Sequence, residues 1–200
     1  MESISNIKDI FNNTPENKLQ MFIEQYKDDS RQGVANLVKR AAKKIDDYNK
    51  EIERTYKLSE FERKYSDYEF ICGIDEVGRG PLAGPVVAGA VILPKDCDIL
   101  YINDSKKLSA KKREELYEVI MEKAVCAKTA VVSPKVIDEI NILQATYEAM
   151  RQAISMLEPQ PTLLLNDAVN IPGEPMKQVS IIKGDAKSIS IGAASIIAKV

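Results

Sequence analysis

The sequence has no histidine and no tryptophan, and only three cysteines, Cys72, Cys97 and Cys126. Without histidine there is no imidazole general base, no Ser-His-Asp triad and no His-ligated zinc. The cysteine count is odd and no CxxC pair occurs. Neither a disulfide framework nor a thiolate zinc site is therefore expected, and a reducing cytoplasm is the simplest setting. No N-terminal apolar segment of the signal type is present, and no apolar run approaches the roughly 18 residues of a membrane span. A net charge of −2 gives no global polyanion-binding signature. Any contact with nucleic acid must then come from local basic loops. Hydrolytic chemistry is left to carboxylates, Lys, Cys, Ser or Tyr, or to a metal on oxygen ligands, which points to Mg²⁺ or Mn²⁺.

What is present is a chain of 200 residues, 44% hydrophobic and 29% charged. That composition is globular, and the length allows one domain or a domain with an extension. Residues 1–68 read as a helical extension. Thr14-Pro15-Glu16 has the form of a helix start, with Leu19, Phe22, Ile23 and Tyr26 on one face of the helix that follows. After Asp28-Asp29-Ser30, the residues Val34, Leu37, Val38, Ala41, Ile45, Tyr48 and Ile52 recur at helical spacing. The simple reading is a solvated helical hairpin. The sharper one is an auxiliary nucleic-acid contact through Lys39, Arg40, Lys43 and Lys44, weakened by Asp46 and Asp47 beside them.

Residues 69–200 read as an α/β domain. Strands are expected at 70–74 and 86–93, the second apolar on both faces as a central strand should be. Gly89 and the alanines of that strand permit close packing of another element. Ser109 caps a helix to about Ala124, a strand follows over 125–132, Ser133-Pro134 opens a short helix, and a longer one runs over 143–157. Short strands at 162–166 and 178–182 precede a small-residue helix from Ile189. The order predicts a layered α/β fold with a mixed five-stranded sheet. The chain stops inside its last helix, which reads as a C-terminal truncation.

Asp75 and Glu76 end the first of these strands, Asp167 ends the fourth, and a turn rich in Gly and Pro (Gly78-Arg79-Gly80-Pro81, then Gly84-Pro85) follows the first two acids. Buried charge costs several kcal/mol, of order 3 or more, unless it is paired or holds a metal. Successive strand residues face opposite ways, so Asp75 and Glu76 share a site only if the backbone bends just after Asp75. Three clustered carboxylates would bind divalent cations, and two such ions would clamp the attacking water and the leaving oxygen of a phosphodiester. The glycines bare the backbone to a ligand, and Arg79 is suited to grip a phosphate. Lys106, Lys183 and Lys187 lie in loops near strand ends and are candidate contacts, each with the alternative of an ordinary solvated lysine.

The run from Gly73 to Ala88, GIDEVGRGPLAGPVVA, closely resembles the signature of ribonuclease HII, the type 2 ribonuclease H. The resemblance continues in Asp104–Ser109, in Leu164–Ala168, and in Lys183–Ser188 through Ala198-Lys199-Val200, and so covers residues 69–200. Asp29-Ser30-Arg31-x-Gly33-Val34 resembles the extension of Gram-positive members. The resemblance implies a ribonuclease H-like fold and a cytoplasmic, monomeric endonuclease with two Mg²⁺ or Mn²⁺ ions. Its implied substrates are RNA–DNA hybrids, cut in the RNA strand, and duplex DNA nicked 5′ of single embedded ribonucleotides, a step of ribonucleotide excision repair. A metal-activated water would leave 5′-phosphate and 3′-hydroxyl ends. Asp75, Glu76 and Asp167 match the family's metal-binding catalytic acids, and Gly78, Arg79 and Gly80 its loop for the ribose 2′-OH. The family's fourth catalytic Asp is expected a few residues beyond Val200, and a substrate-sensing Tyr further on. Gly192 stands where the family usually has Ala. The alternatives are a non-catalytic hybrid-binding module lacking the fourth acid, and a Mg²⁺ phosphohydrolase acting on other phosphates, against which the Gly-Arg-Gly loop argues.

Overall fold

The computed structural model describes residues 2–80 and 83–200, so Pro81 and Leu82 of the glycine turn lie outside the described residues. The chain forms two compact units, Met1–Arg54 and Thr55–Val200. The first is helical. α1 (Ile4–Asn13) starts where Ser3 Oγ accepts from the Asn6 amide, and buries Ile7 and Phe11 one turn apart. These pack with Leu19, Phe22 and Tyr26 of α2 (Leu19–Tyr26) and with Val34, Leu37 and Ala41 of α3 (Gln32–Leu58). Pro15 opens a short 3₁₀ turn, Glu16–Lys18, so α2 itself begins only at Leu19. Arg40 and Lys44 both stand over the Phe11 ring, at 5.0 and 4.9 Å from its centroid. Two of the four basic residues considered for nucleic acid thus cover an aromatic of this unit's own core.

The second unit holds α4 (Glu60–Lys64), β1 (Ile71–Val77), β2 (Val86–Ile92), α5 (Ala110–Lys123), β3 (Cys126–Val132), α6 (Pro134–Ile140), α7 (Ile142–Ser155), β4 (Leu163–Asp167), β5 (Lys177–Ile181) and α8 (Ile189–Lys199). The strands form one mixed sheet in the order β3-β2-β1-β4-β5. β1 pairs antiparallel with β2 and parallel with β4, and so occupies the centre. The helix starts follow their caps, with Ser109 Oγ accepting from Lys112 N and Ser133 Oγ from Val136 N.

Alternation along the strands sorts the two faces. Cys72 and Ile74, with Val86, Ala88, Ala90 and Ile92, face α7 and its Ala149, Met150 and Ala153. Val91 and Leu93 face α5 and α8, and Leu163 and Leu165 meet Ile191 of α8. α8 lies unusually close to the sheet. A Cβ on Gly73 would be driven into the Ser190 carbonyl carbon and the Ile191 amide, and one on Gly89 into the Ala194 carbonyl oxygen. This helix is the element that the small residues of β2 admit. Gly192, on α8, is also tightly packed, but against the loop residue Ile102, because a Cβ there would lie 2.8 Å from Ile102 Cγ2. Glu62 fastens the start of α8: its Oε1 accepts from Ser188 Oγ at 2.5 Å and from the Ser190 amide at 3.0 Å. None of the helices among the described residues is long and apolar enough to cross a membrane.

Candidate active site

β1 does not bend after Asp75. Its pairing with β2 continues through Asp75↔Gly89, Glu76↔Ala88 and Val77↔Val87. The acids therefore lie within the strand, and the turn starts two residues later than the sequence suggests. A strand of apolar and β-branched residues keeps its ladder until Gly78, whose φ of 92° breaks it. Asp75 shares its face with Gly73, the face that α8 covers. The parallel register Ile74↔Asn166 puts Asp75 and Asp167 side by side at the next step, on neighbouring strands. Such strands run about 4.8 Å apart.

The electrostatics couple these groups. Asp75 is buried, at 7% exposure. Its carboxyl is pushed up to about 7, first by burial and then by the Glu76 and Asp167 charges, against the pull of a hydrogen bond from the Ser195 side chain and one from the Glu76 backbone. Glu76 is raised as well, first by burial and further by Asp167, with Arg79 opposing. Arg79 Nη1 stands 3.4 Å from Glu76 Oε1, a long contact for a half-exposed arginine. Asp167 Oδ1 accepts the Gly184 amide at 2.7 Å, which fixes its orientation. Gly184 is glycine for a local reason, since a Cβ would sit 2.6 Å from Ile191 Cδ1 and 3.3 Å from Asp167 Oδ1.

Two further acids join the cluster that sequence reasoning did not pick out. Asp185 is raised by burial and then by Asp104 and Asp167, with Lys106 opposing. The signal was its place in the turn next to Gly184. Of the three lysines, Lys106 thus feels the acidic cluster, while Lys183 and Lys187 flank the 3₁₀ turn Gly184–Ala186 that orients Asp167. All three are exposed. Carboxylate oxygens that raise one another's affinity for protons suit a hard divalent cation, so the chemistry of the donor set fits Mg²⁺ or Mn²⁺. Among the described residues no three His, Cys, Asp or Glu side chains converge as a ready-made metal group.

The glycine loop faces a cleft of about 290 Å³, walled by Gly78, Arg79 and Gly80 on one side and by Pro134, Asp138 and Ile142 on the other. The α6 side of this cleft carried no sequence signal. The two glycines differ. A Cβ on Gly78 would collide with the Pro85 carbonyl oxygen, whereas a Cβ on Gly80 would meet nothing within 4 Å among the described residues beyond its chain neighbours. Gly78 is needed by the fold, and Gly80 is not. A larger cavity of about 420 Å³ lies at the other end of β1, lined by Glu62, Ile71, Leu93 and Ile189, away from all three acids.

Helices on both faces of a mixed sheet in this strand order define a ribonuclease H-type fold. The chain resembles the crystal structure of the ribonuclease H2 from Pyrococcus horikoshii, with a TM-score of 0.56 and 29% identity over 65% of this chain and 70% of that one. A family model described as Ribonuclease HII matches residues 72–200, and one described as its N-terminal domain matches residues 3–66. Ribonuclease HII of Lachnoclostridium phytofermentans is 62% identical over 177 residues, covering 88% of this chain and 70% of that protein. Ribonuclease HII of Clostridioides difficile is 49% identical over 201 residues, covering 100% and 79%. The chain belongs to the ribonuclease HII family, a family of ribonuclease H enzymes.

Proposed function

We propose that this site cuts the RNA strand of RNA–DNA hybrids and nicks 5′ of single ribonucleotides in duplex DNA, with Asp75, Glu76 and Asp167 holding Mg²⁺ or Mn²⁺ and Gly78, Arg79 and Gly80 reading the ribose. The observation that supports this most is the buried Asp75 carboxyl, raised to about 7 beside two other acids. A fold keeps such a costly arrangement where a function uses it. A divalent cation held there would neutralise charge on the scissile phosphate and activate the attacking water. The protein's part is orientation. The Gly184 amide directs Asp167, Arg79 balances Glu76, and the open flank of Gly80 lets a sugar approach the backbone. A 2′-hydroxyl read at that loop separates RNA from DNA. Lys106, Lys183 and Lys187 would meet the phosphate chain beside the acidic site.

An RNA–DNA hybrid labelled on the 5′ end of its RNA tests the reading. With Mn²⁺, the full-length protein should give fragments ending in 3′-hydroxyl groups, and a chelator should stop the reaction. Cyclic-phosphate ends, or cleavage that survives chelation, would sink it. The glycine loop has its own test. Gly80→Ala should leave stability within about 0.5 kcal/mol of wild type, because the new methyl meets no atom of the described residues beyond its chain neighbours. It should nonetheless slow nicking at an embedded ribonucleotide by about tenfold or more, by holding the sugar off the backbone. Unchanged nicking would remove Gly80 from the recognition loop.

A further inference from the structure

Glu62 and Ser188 are 126 residues apart in the chain, yet Glu62 Oε1 accepts the Ser188 hydroxyl at 2.5 Å and the Ser190 amide at 3.0 Å. This carboxylate is more than α8 needs in order to begin. Ser188 Oγ already accepts the Ile191 amide at 3.2 Å and so caps the helix by itself. Glu62 Oε2 is buried and has no hydrogen-bond partner among the described residues. An unpartnered buried oxygen is costly, and a neutral acceptor would serve the helix start without it. The place of Glu62 is also unexpected. The N-terminal family model matches residues 3–66, but the chain divides after Arg54, so Glu62 belongs to the second unit.

A run of direct hydrogen bonds leads from Glu62 to Asp167. Ser188 is its node. Its hydroxyl donates to Glu62, and its amide donates to the Gly184 carbonyl at 2.8 Å. The Lys187 amide meets the same carbonyl at 2.9 Å. Gly184 is thus held at its carbonyl while its own amide donates to Asp167 Oδ1 at 2.7 Å. The turn needs that hold. It is entered at Lys183, whose φ of 59° lies in the left-handed region that a residue with a side chain adopts at a cost. Such a conformation persists where its surroundings over-determine it. At the exit of this turn, the fastening comes from Ser188 and, through it, from Glu62.

We infer that Glu62, acting through Ser188, holds the Gly184 turn in the conformation that aims the Asp167 carboxylate at its divalent cation. Both are positioning residues, and their effect reaches the site through the Gly184 amide. The inference rests on the metal-binding role proposed for Asp167. Groups that orient a metal ligand typically govern metal affinity by about 10- to 100-fold. Glu62 stands further out than a direct partner of the ligand, so the lower end of that range applies. The end of the segment matched by the N-terminal family model thereby acquires a task in the metal site.

Two measurements on the full-length protein test this without substrate: hydrogen exchange over residues 183–188 in metal-free buffer, and calorimetric titration of Mn²⁺. Glu62→Ala should speed exchange in that turn and weaken Mn²⁺ binding, each by about tenfold. Ser188→Ala should do the same, and the double variant should match the worse single change. Glu62→Gln keeps an acceptor for Ser188 and Ser190, and should restore Mn²⁺ affinity to within about threefold of wild type. Nicking by the weakened variants should need more Mn²⁺, with KM for the duplex unchanged. Leu116→Ala removes packing from α5 instead. It should lower the melting temperature and leave Mn²⁺ affinity alone. Where Glu62→Ala does not fold, Ser188→Ala decides. Wild-type Mn²⁺ affinity in either alanine variant while Asp167→Asn loses it, multiplying losses in the double variant, or an equal loss in Leu116→Ala would overturn the positioning role and leave the metal-site reading standing. Wild-type Mn²⁺ affinity in Asp167→Asn would overturn both.

Discussion

Asp75→Asn is expected to lose nicking activity by about a thousandfold or more, equivalent to roughly 4 kcal/mol of barrier, and yet to melt at a higher temperature than wild type in metal-free buffer. The two effects share one cause. In the folded protein the Asp75 carboxyl titrates at about 7 because it is buried beside Glu76 and Asp167. In the unfolded chain it titrates near the ordinary value of about 3.9. Between these values the folded state holds a proton that the unfolded state has released, so stability falls as pH rises. Below the lower value both states are protonated and no penalty exists. Above the upper one the penalty is complete, at up to roughly 4 kcal/mol. Asparagine carries no charge and escapes it, though its amide then needs a partner of its own. A net gain of about 2 kcal/mol, or roughly 4–8 °C, is expected near pH 8. The melting temperature of the variant should change less than wild type's between about pH 5 and pH 8. A variant that melts lower than wild type throughout would show that Asp75 stabilises the fold, contrary to this account.

Gly73→Ala should severely damage the fold. The new Cβ points at backbone, the Ser190 carbonyl carbon and the Ile191 amide, and no rotamer can relieve the clash. α8 must lift from the sheet, opening its contact with Ile191 and shifting Ser195 away from Asp75. Overpacking of side chains costs about 1–3 kcal/mol, and backbone that cannot yield puts this case at or beyond the upper end. A fall in Tm of roughly 6–12 °C is expected, with loss of Mn²⁺ binding alongside it. Gly80→Ala is the matched control, because its methyl meets none of the described residues beyond its chain neighbours. Equal Tm values for the two variants would contradict the packing of α8 described here.

The strands and most helices were legible because their cues are local. Ser109 and Ser133 cap helices as their sequences suggest, and five apolar runs became five paired strands. The mixed α/β sheet and the helical N-terminal segment could be read in this way, whereas the ribonuclease H-like identity of the sheet came from the resemblance of the Gly73–Ala88 run. α1 was not singled out, although Ser3, Ile7 and Phe11 carry a cap and a one-turn apolar repeat. It is short and polar, and only α2 and α3 give its face something to bury. The bend expected after Asp75 did not occur, because cross-strand pairing with Gly89, Ala88 and Val87 outlasts the point where side-chain alternation alone seemed to demand a turn. The relation of Asp75 to Asp167 needed the parallel register of β1 and β4, which no short sequence window contains. The partners of the acids were the least visible. Ser195 and the Gly184 amide reach the site from distant segments, and each looks ordinary where it stands in the sequence.

The most direct measurement is a nicking assay on duplex DNA carrying one ribonucleotide, run with the full-length protein in Mg²⁺ or Mn²⁺ beside Asp75→Asn and Asp167→Asn. Wild type should cut once, on the 5′ side of the ribonucleotide, leaving 3′-hydroxyl and 5′-phosphate ends, and neither variant should cut. No nick by wild type, or equal nicking by Asp75→Asn, would contradict the assignment of this site.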